Sequence, residues 1–156
     1  MRLKVSRFFK PKQRRPSWIG TFAASFRNGT YGTGTVIPLK IVFSAPVNVT
    51  GQPHLALNSG GVAVYTSGSG SATLVFTYTV TACENSNDLN YASTDSLTLN
   101  GGTIKDSGTG VDAVLTLPAL ADPNSLGSQK DIVISTGAPP VLLPDLLVSA
   151  ADWVQV

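Results

Sequence analysis

The chain has 156 residues, 42% hydrophobic and only 13% charged, with a formal net charge of +2. That length suits one domain of roughly 100–150 residues plus tails. Sparse charge with 15 glycines and 10 prolines argues against a helical cytosolic protein and for an all-β module with many turns.

The charge is unevenly spread. Arg2, Lys4, Arg7, Lys10, Lys12, Arg14 and Arg15 supply seven of the eleven basic residues, whereas all nine acidic residues lie from Glu84 onward. Residues 16–156 therefore hold four basic and nine acidic groups, a net of −5, so the overall charge does not describe a nucleic-acid-binding domain. Residues 1–17 form a basic arm. Such an arm suits contact with an anionic surface or polysaccharide through residues 1–15, Arg14 and Arg15 included. The stretch Ser17-Trp18-Ile19-Gly20-Thr21-Phe22-Ala23-Ala24-Ser25 is too short and too broken by Gly and polar residues for a clear secretory signal, and no run of 18 apolar residues marks a transmembrane helix.

Residues 18–136 read as a string of short strands. A first strand is expected over 21–28, then a turn over 28–34, then a strand over 35–43 in which Ile37, Leu39, Ile41 and Phe43 share one parity. Pro38 lacks a donor and predicts an edge or a bulge there. Ser44-Ala45-Pro46 is expected to break this strand, with Val47 and Val49 opening a short new one. Further strands are expected over 54–57 and 62–66. After the turn Ser67-Gly68-Ser69-Gly70-Ser71 comes the cleanest alternation in the chain. Leu74, Phe76, Tyr78 and Val80 face one way, while Thr73, Val75, Thr77, Thr79 and Thr81 face the other.

A polar loop, Glu84-Asn85-Ser86-Asn87-Asp88, comes next. Asn100-Gly101 predicts a hairpin from Leu97 to Ile104. Residues 111–117 are expected as a strand, 119–129 as irregular, and 131–135 as the last strand of the sandwich. Pro139-Pro140 marks a linker, so 137–156 form a linker and a strand-like apolar tail. Together these features predict an antiparallel β-sandwich of about 7–9 strands, with a basic N-terminal arm and an apolar C-terminal extension.

The ordered series GTYGTG, IVFSAPVNVTG, PHLALNSGG, AVYTSGSG, LVFTYTV, ENSNDLNYAST, LTLNGGTIKD and LGSQKDIVI resembles the tandem Ig-like repeats of large bacterial cell-surface and adhesin proteins over residues 21–135. The tail around Pro144-Asp145-Leu146-Leu147-Val148 resembles the opening strand of a second, adhesion-type Ig-like module. The resemblance implies an antiparallel Ig-like β-sandwich of about 7–9 strands, an extracellular or cell-surface location and a non-catalytic structural or adhesive role. Two loops depart from the family pattern: Ala82-Cys83-Glu84-Asn85 and Asp106-Ser107-Gly108-Thr109-Gly110 stand where acidic loops are usual.

Calcium is the one cofactor the residues suggest, because Ca²⁺ takes six to eight oxygens from carboxylates, amides and carbonyls. The candidates are Glu84, Asn87, Asp88, Asp106 and Asp112, and plain turn formation is the competing role for all five. No nucleophile elbow or metal-ligand spacing accompanies the single histidine, His54, or the single cysteine, Cys83, which is expected half-buried at a strand end. The chain is read as no enzyme.

A lone repeat with an apolar tail also allows a self-assembling filament. Residues 141–156 would then be donated to neighbouring copies, with Leu142, Leu143, Leu146, Val148 and Trp153 as the partner-binding residues. A carbohydrate-binding module would use Tyr31, Tyr65, Tyr91, Trp18 or Trp153 as its platform, and a capsid-like shell would put nucleic acid on the arm. These two readings rank last.

Overall fold

In a computed structural model, the structure describes Ser17 and residues 19–137. Ten strands and one short helix build it: β1 (Ile19–Ala24), β2 (Gly29–Tyr31), β3 (Val36–Thr50), β4 (His54–Ala56), β5 (Val62–Ser67), β6 (Ser71–Thr79), β7 (Asn85–Ser86), β8 (Leu97–Thr98), β9 (Thr103–Asp106), α1 (Leu126–Gln129) and β10 (Ile132–Ser135). They form an all-β, sandwich-like fold. One seven-stranded sheet runs β1-β3-β6-β5-β4-β8, with β9 also paired to β3, and a three-stranded sheet runs β2-β10-β7. Every pairing is antiparallel except that of β10 with β2.

The alternation in the sequence becomes the core. Ile37, Leu39 and Ile41 on β3 and Leu74, Phe76 and Tyr78 on β6 are fully buried, and the register sets Ile37 opposite Tyr78, Leu39 opposite Phe76 and Ile41 opposite Leu74. Ile132 and Ile134 on β10 and Leu126 on α1 reach the same core. Burying these side chains in place of exposing them is worth about 1.5–3 kcal/mol each before the entropy of ordering them is set against it.

Several expectations give way to tertiary context. β3 does not break at Ser44-Ala45-Pro46; it runs unbroken for 15 residues. The ladder to β6 jumps there instead, from Val42↔Thr73 to Val47↔Ser71, and the turn between β5 and β6 fills the gap. Gly70 donates its N–H to the Val47 carbonyl at 2.8 Å, and the Ser69 hydroxyl accepts the Val49 N–H at 2.8 Å. Pro46 falls inside this jump, where no ladder bond needs its missing N–H. Pro38 sits just past the last β1 pair, Ala24↔Leu39, which is the local edge its sequence implied.

The residues Gly29-Thr30-Tyr31, expected as a turn, form β2, because β10 comes alongside from a hundred residues away. The expected hairpin from Leu97 to Ile104 has the right turn and the wrong partners. Asn100 and Gly101 take φ of 46° and 77°, and Gly102 N–H closes on the Leu99 carbonyl at 2.8 Å. The flanking strands then diverge, β8 to β4 and β9 to β3. Residues 111–117 form no strand. They lie along β9 through a bridge from Lys105 to Asp112 and the bond from Ala113 N–H to the Ile104 carbonyl. Ser17, assigned to the arm, belongs to the sandwich: it is buried, and its carbonyl accepts the Val114 N–H at 2.8 Å.

Candidate functional site

The polar groups fall into three clusters, each built on a turn. At one rim β6 turns Tyr78 inward until its hydroxyl lies 2.9 Å from the Ser59 hydroxyl and donates to Glu84 Oε2 at 2.7 Å. The Thr81 N–H donates to the same carboxylate oxygen at 2.7 Å. The Tyr78 phenol is pushed up to about 12, chiefly by burial; the Ser59 bond opposes this and Glu84 adds to it. At neutral pH the phenol is therefore a neutral donor and Glu84 its acceptor. Glu84 latches a turn and does not face outward as a ligand.

The second cluster centres on Asn58. Its amide donates to the Asp88 carbonyl at 2.8 Å, while its Oδ1 accepts the Ser86 hydroxyl at 3.0 Å and the Asn90 N–H at 2.9 Å. Asn58 thereby substitutes for the missing strand in a long loop. The Asp88 carboxyl is raised above its usual range, first by partial burial and then by the charge of Asp131. Asn87 is exposed beside it.

The third cluster is the tightest. Asp106 is 5% exposed and accepts from the Ser17 hydroxyl at 2.7 Å, the Gly108 N–H at 2.9 Å, the Thr109 N–H at 2.8 Å and the Thr109 hydroxyl at 3.0 Å. The Ser17 bond, followed by those from Thr109, holds its carboxyl below the ordinary carboxylate range. A group depressed in this way stabilises the fold fully above the unfolded value of about 4, and the contribution fades as pH falls through the folded value. Asp106→Asn should therefore lower the thermal midpoint at pH 7 and flatten its decline below about pH 4. Melting curves from pH 2 to 7 that stay parallel for the two proteins would show that Asp106 does not carry this dependence.

The five calcium candidates are thus dispersed over these turns. Glu84 and Asp106 are bound to their own loops, and Asp112 pairs with Lys105 at 2.7 Å on an exposed surface. Among the described residues no three His, Cys, Asp or Glu side chains gather as a metal-holding group.

Of the five aromatic platform candidates the described residues hold three, and each is engaged in packing. Tyr91 is fully buried, with its ring 4.9 Å from that of Phe22 and its hydroxyl donating to the Pro118 carbonyl at 2.5 Å. Tyr65 packs its edge on Phe76 and its hydroxyl accepts the Ser69 N–H, while Tyr31 packs on Phe26. Cys83, expected half-buried, is exposed in a turn with φ of 69°. His54 lies on β4 with its Nε2 3.2 Å from the Asn100 amide nitrogen. Trp18, Trp153, Leu142, Leu143, Leu146, Val148, Arg14 and Arg15 lie outside the described residues.

Compared with known proteins, the chain matches no family model, no curated protein and no solved structure. Among the described residues no helix is long and apolar enough to cross a membrane. Sequence reasoning missed Ser17, Asn58 and Ser59 as organising residues. The one signal for Asn58 was its place in an Asn-Ser-Gly-Gly turn.

Proposed function

We propose that the chain is a non-catalytic, Ig-like structural or adhesive module of a bacterial extracellular or cell-surface protein, acting as a stiff spacer between the segments on either side of it. One observation carries this reading: the backbone comes into the sandwich and leaves it at opposite ends. Ser17 lies by Asp106 and Ala45, towards the far half of β3. The last described residues come after β10, whose Ser135 carbonyl lies by Gly32, just ahead of the start of β3. Val36 and Ala45 are nine positions apart on β3, which at about 3.3 Å per residue separates the two ends by roughly 25–30 Å. A module threaded in line adds its length to a chain, whereas one with adjacent termini folds the chain back. The resemblance of residues 21–135 to tandem surface repeats supports the same role.

The test has two parts. Spin labels at Ser107→Cys and Ser135→Cys, with Cys83→Ser, should give one narrow distance distribution of about 25–30 Å, set by that strand length. A broad or short distribution would overturn the spacer. Antibody against the chain should label intact bacteria that make it; labelling only after lysis would overturn the surface location.

A further inference from the structure

The sequence holds a single Asp-Pro peptide bond, Asp122-Pro123, in the turn that leads into α1. Such a bond is chemically weak for two reasons. The aspartate carboxylate can close on its own carbonyl carbon through a five-membered ring, and the proline nitrogen, more basic than an ordinary amide nitrogen, leaves more readily. The fold holds the groups concerned. The Asp122 carbonyl, the one to be attacked, accepts the Ser125 N–H at 2.8 Å. A backbone donor aimed at that oxygen also meets the negative charge it gains during attack. Carboxylate Oδ1 accepts the Asn124 N–H at 2.8 Å and the Asn124 side-chain amide at 3.0 Å. No described residue bonds to Oδ2, which is left as the nucleophile. The Asp122 N–H is tied to the Ala119 carbonyl at 2.8 Å. Asp122 is half-buried, and Pro123 and Asn124 are exposed, so water reaches the bond.

We infer that Asp122-Pro123 is a self-cleavage site. Oδ2 attacks the Asp122 carbonyl carbon and forms a C–O bond. The C–N bond to Pro123 breaks, and the proline nitrogen takes a proton from hydronium. A cyclic anhydride remains on Asp122. One water molecule opens it, leaving Asp122 with a side-chain and a terminal carboxyl group. Nothing is oxidised or reduced. The piece that begins at Pro123 stays in place, because Leu126 and Ile132 are fully buried and Ile134 is 2% exposed. β10 remains paired with β2 and β7, the Leu89 N–H donates to the Ile132 carbonyl at 2.7 Å, and the Phe22 N–H donates to the Asn124 carbonyl at 3.0 Å. On the in-line reading above, the cut would turn a continuous tether into one whose exit is held by non-covalent contacts alone.

The test follows the full-length chain by intact mass in mildly acidic buffer. The expected products are two fragments, the smaller beginning at Pro123, whose masses sum to that of the chain plus one water. They should elute together from a sizing column in native buffer and separate in urea. The deciding comparison is the rate in the folded chain against the same chain in urea at the same pH. Folded protein should cleave at least tenfold faster, because the turn holds the reacting groups together. An equal or slower rate when folded would reduce the site to the lability of any Asp-Pro bond and overturn the proposal, as would a chain that stays whole. Asp122→Asn and Pro123→Ala should each slow the cut at least tenfold with the far-ultraviolet spectrum unchanged. Cleavage that continues unaltered in either variant would place the reaction elsewhere and overturn the assignment.

Discussion

Tyr91→Ala is expected to lower unfolding free energy by about 3–5 kcal/mol, the range for truncating a buried aromatic. Tyr91 is fully buried although it lies in the most polar stretch of the chain. Its backbone bridges Leu57, its ring meets Phe22 from β1, and its hydroxyl ties down the Pro118 carbonyl. Removing it opens a cavity between three segments distant in sequence. Against a typical domain stability of about 5–15 kcal/mol, the loss would leave a marginal fold. Tyr91→Phe keeps the ring and removes one hydrogen bond, so it should cost only about 1–2 kcal/mol. Urea melts of both variants check the pair. A cost below about 1 kcal/mol for the alanine variant would contradict the packing described, since burial of that ring could not then matter. The phenol is also pushed up to about 12, by burial first and by Asp122 second. A folded value raised in this way favours the protonated phenol, so the group leaves stability flat until pH passes the unfolded value near 10.

Gly68→Ala should be nearly as damaging, at about 3 kcal/mol or more, though it adds a single methyl group. Gly68 has φ of 111°, where a Cβ is strained, and a Cβ built there runs into the Thr73 carbonyl oxygen and comes within 3.0 Å of the Leu74 Cα. The φ penalty is about 1–2 kcal/mol and forced overpacking adds about 1–3 kcal/mol. The obstacle is backbone, which cannot swing aside as a long side chain would. The turn that Gly68 shapes also fills the jump in β3, so the damage should spread to the β3–β9 pairing. Amide exchange at Asn48 and Thr50, whose backbone alternates towards β9 while Val47 and Val49 face the turn, reports this directly. Exchange confined to residues 67–71 would mean that the turn is an independent ornament. Gly34, whose Cβ would meet nothing within 4 Å, serves as the control for positive φ alone.

The strands legible in the sequence were those whose burial repeats every second residue. β6 and the first half of β3 obey that rule, and their inward residues are the ones the alternation named; β10 obeys it too, within the strand expected over 131–135. Elements set by a remote partner were illegible. β2 is three residues among glycines and exists because β10 arrives beside it. The Asn100-Gly101 turn was readable from its own chemistry, but a local signal cannot say that β4 and β3 will take its two arms apart. Tyr91 was misjudged because its neighbours are polar, although Leu89 and Tyr91 share a parity and both are fully buried. At the polar clusters the sequence supplied the residue types without their direction. Asp106 faces inward to Ser17 and its own turn, and only the fold determines that.

The in-line path of the backbone has a mechanical consequence. Tension applied through the two ends runs along the strands, not across them. β1 is clamped to β3 over partners from Ile19↔Phe43 to Ala24↔Leu39, and antiparallel ladder bonds lie perpendicular to the strands. Traction on β1 from its leading end therefore loads those bonds side by side in shear, so they must fail together. A hairpin pulled open from its mouth would instead lose them one at a time. A tether built this way would give little until it ruptures as a unit.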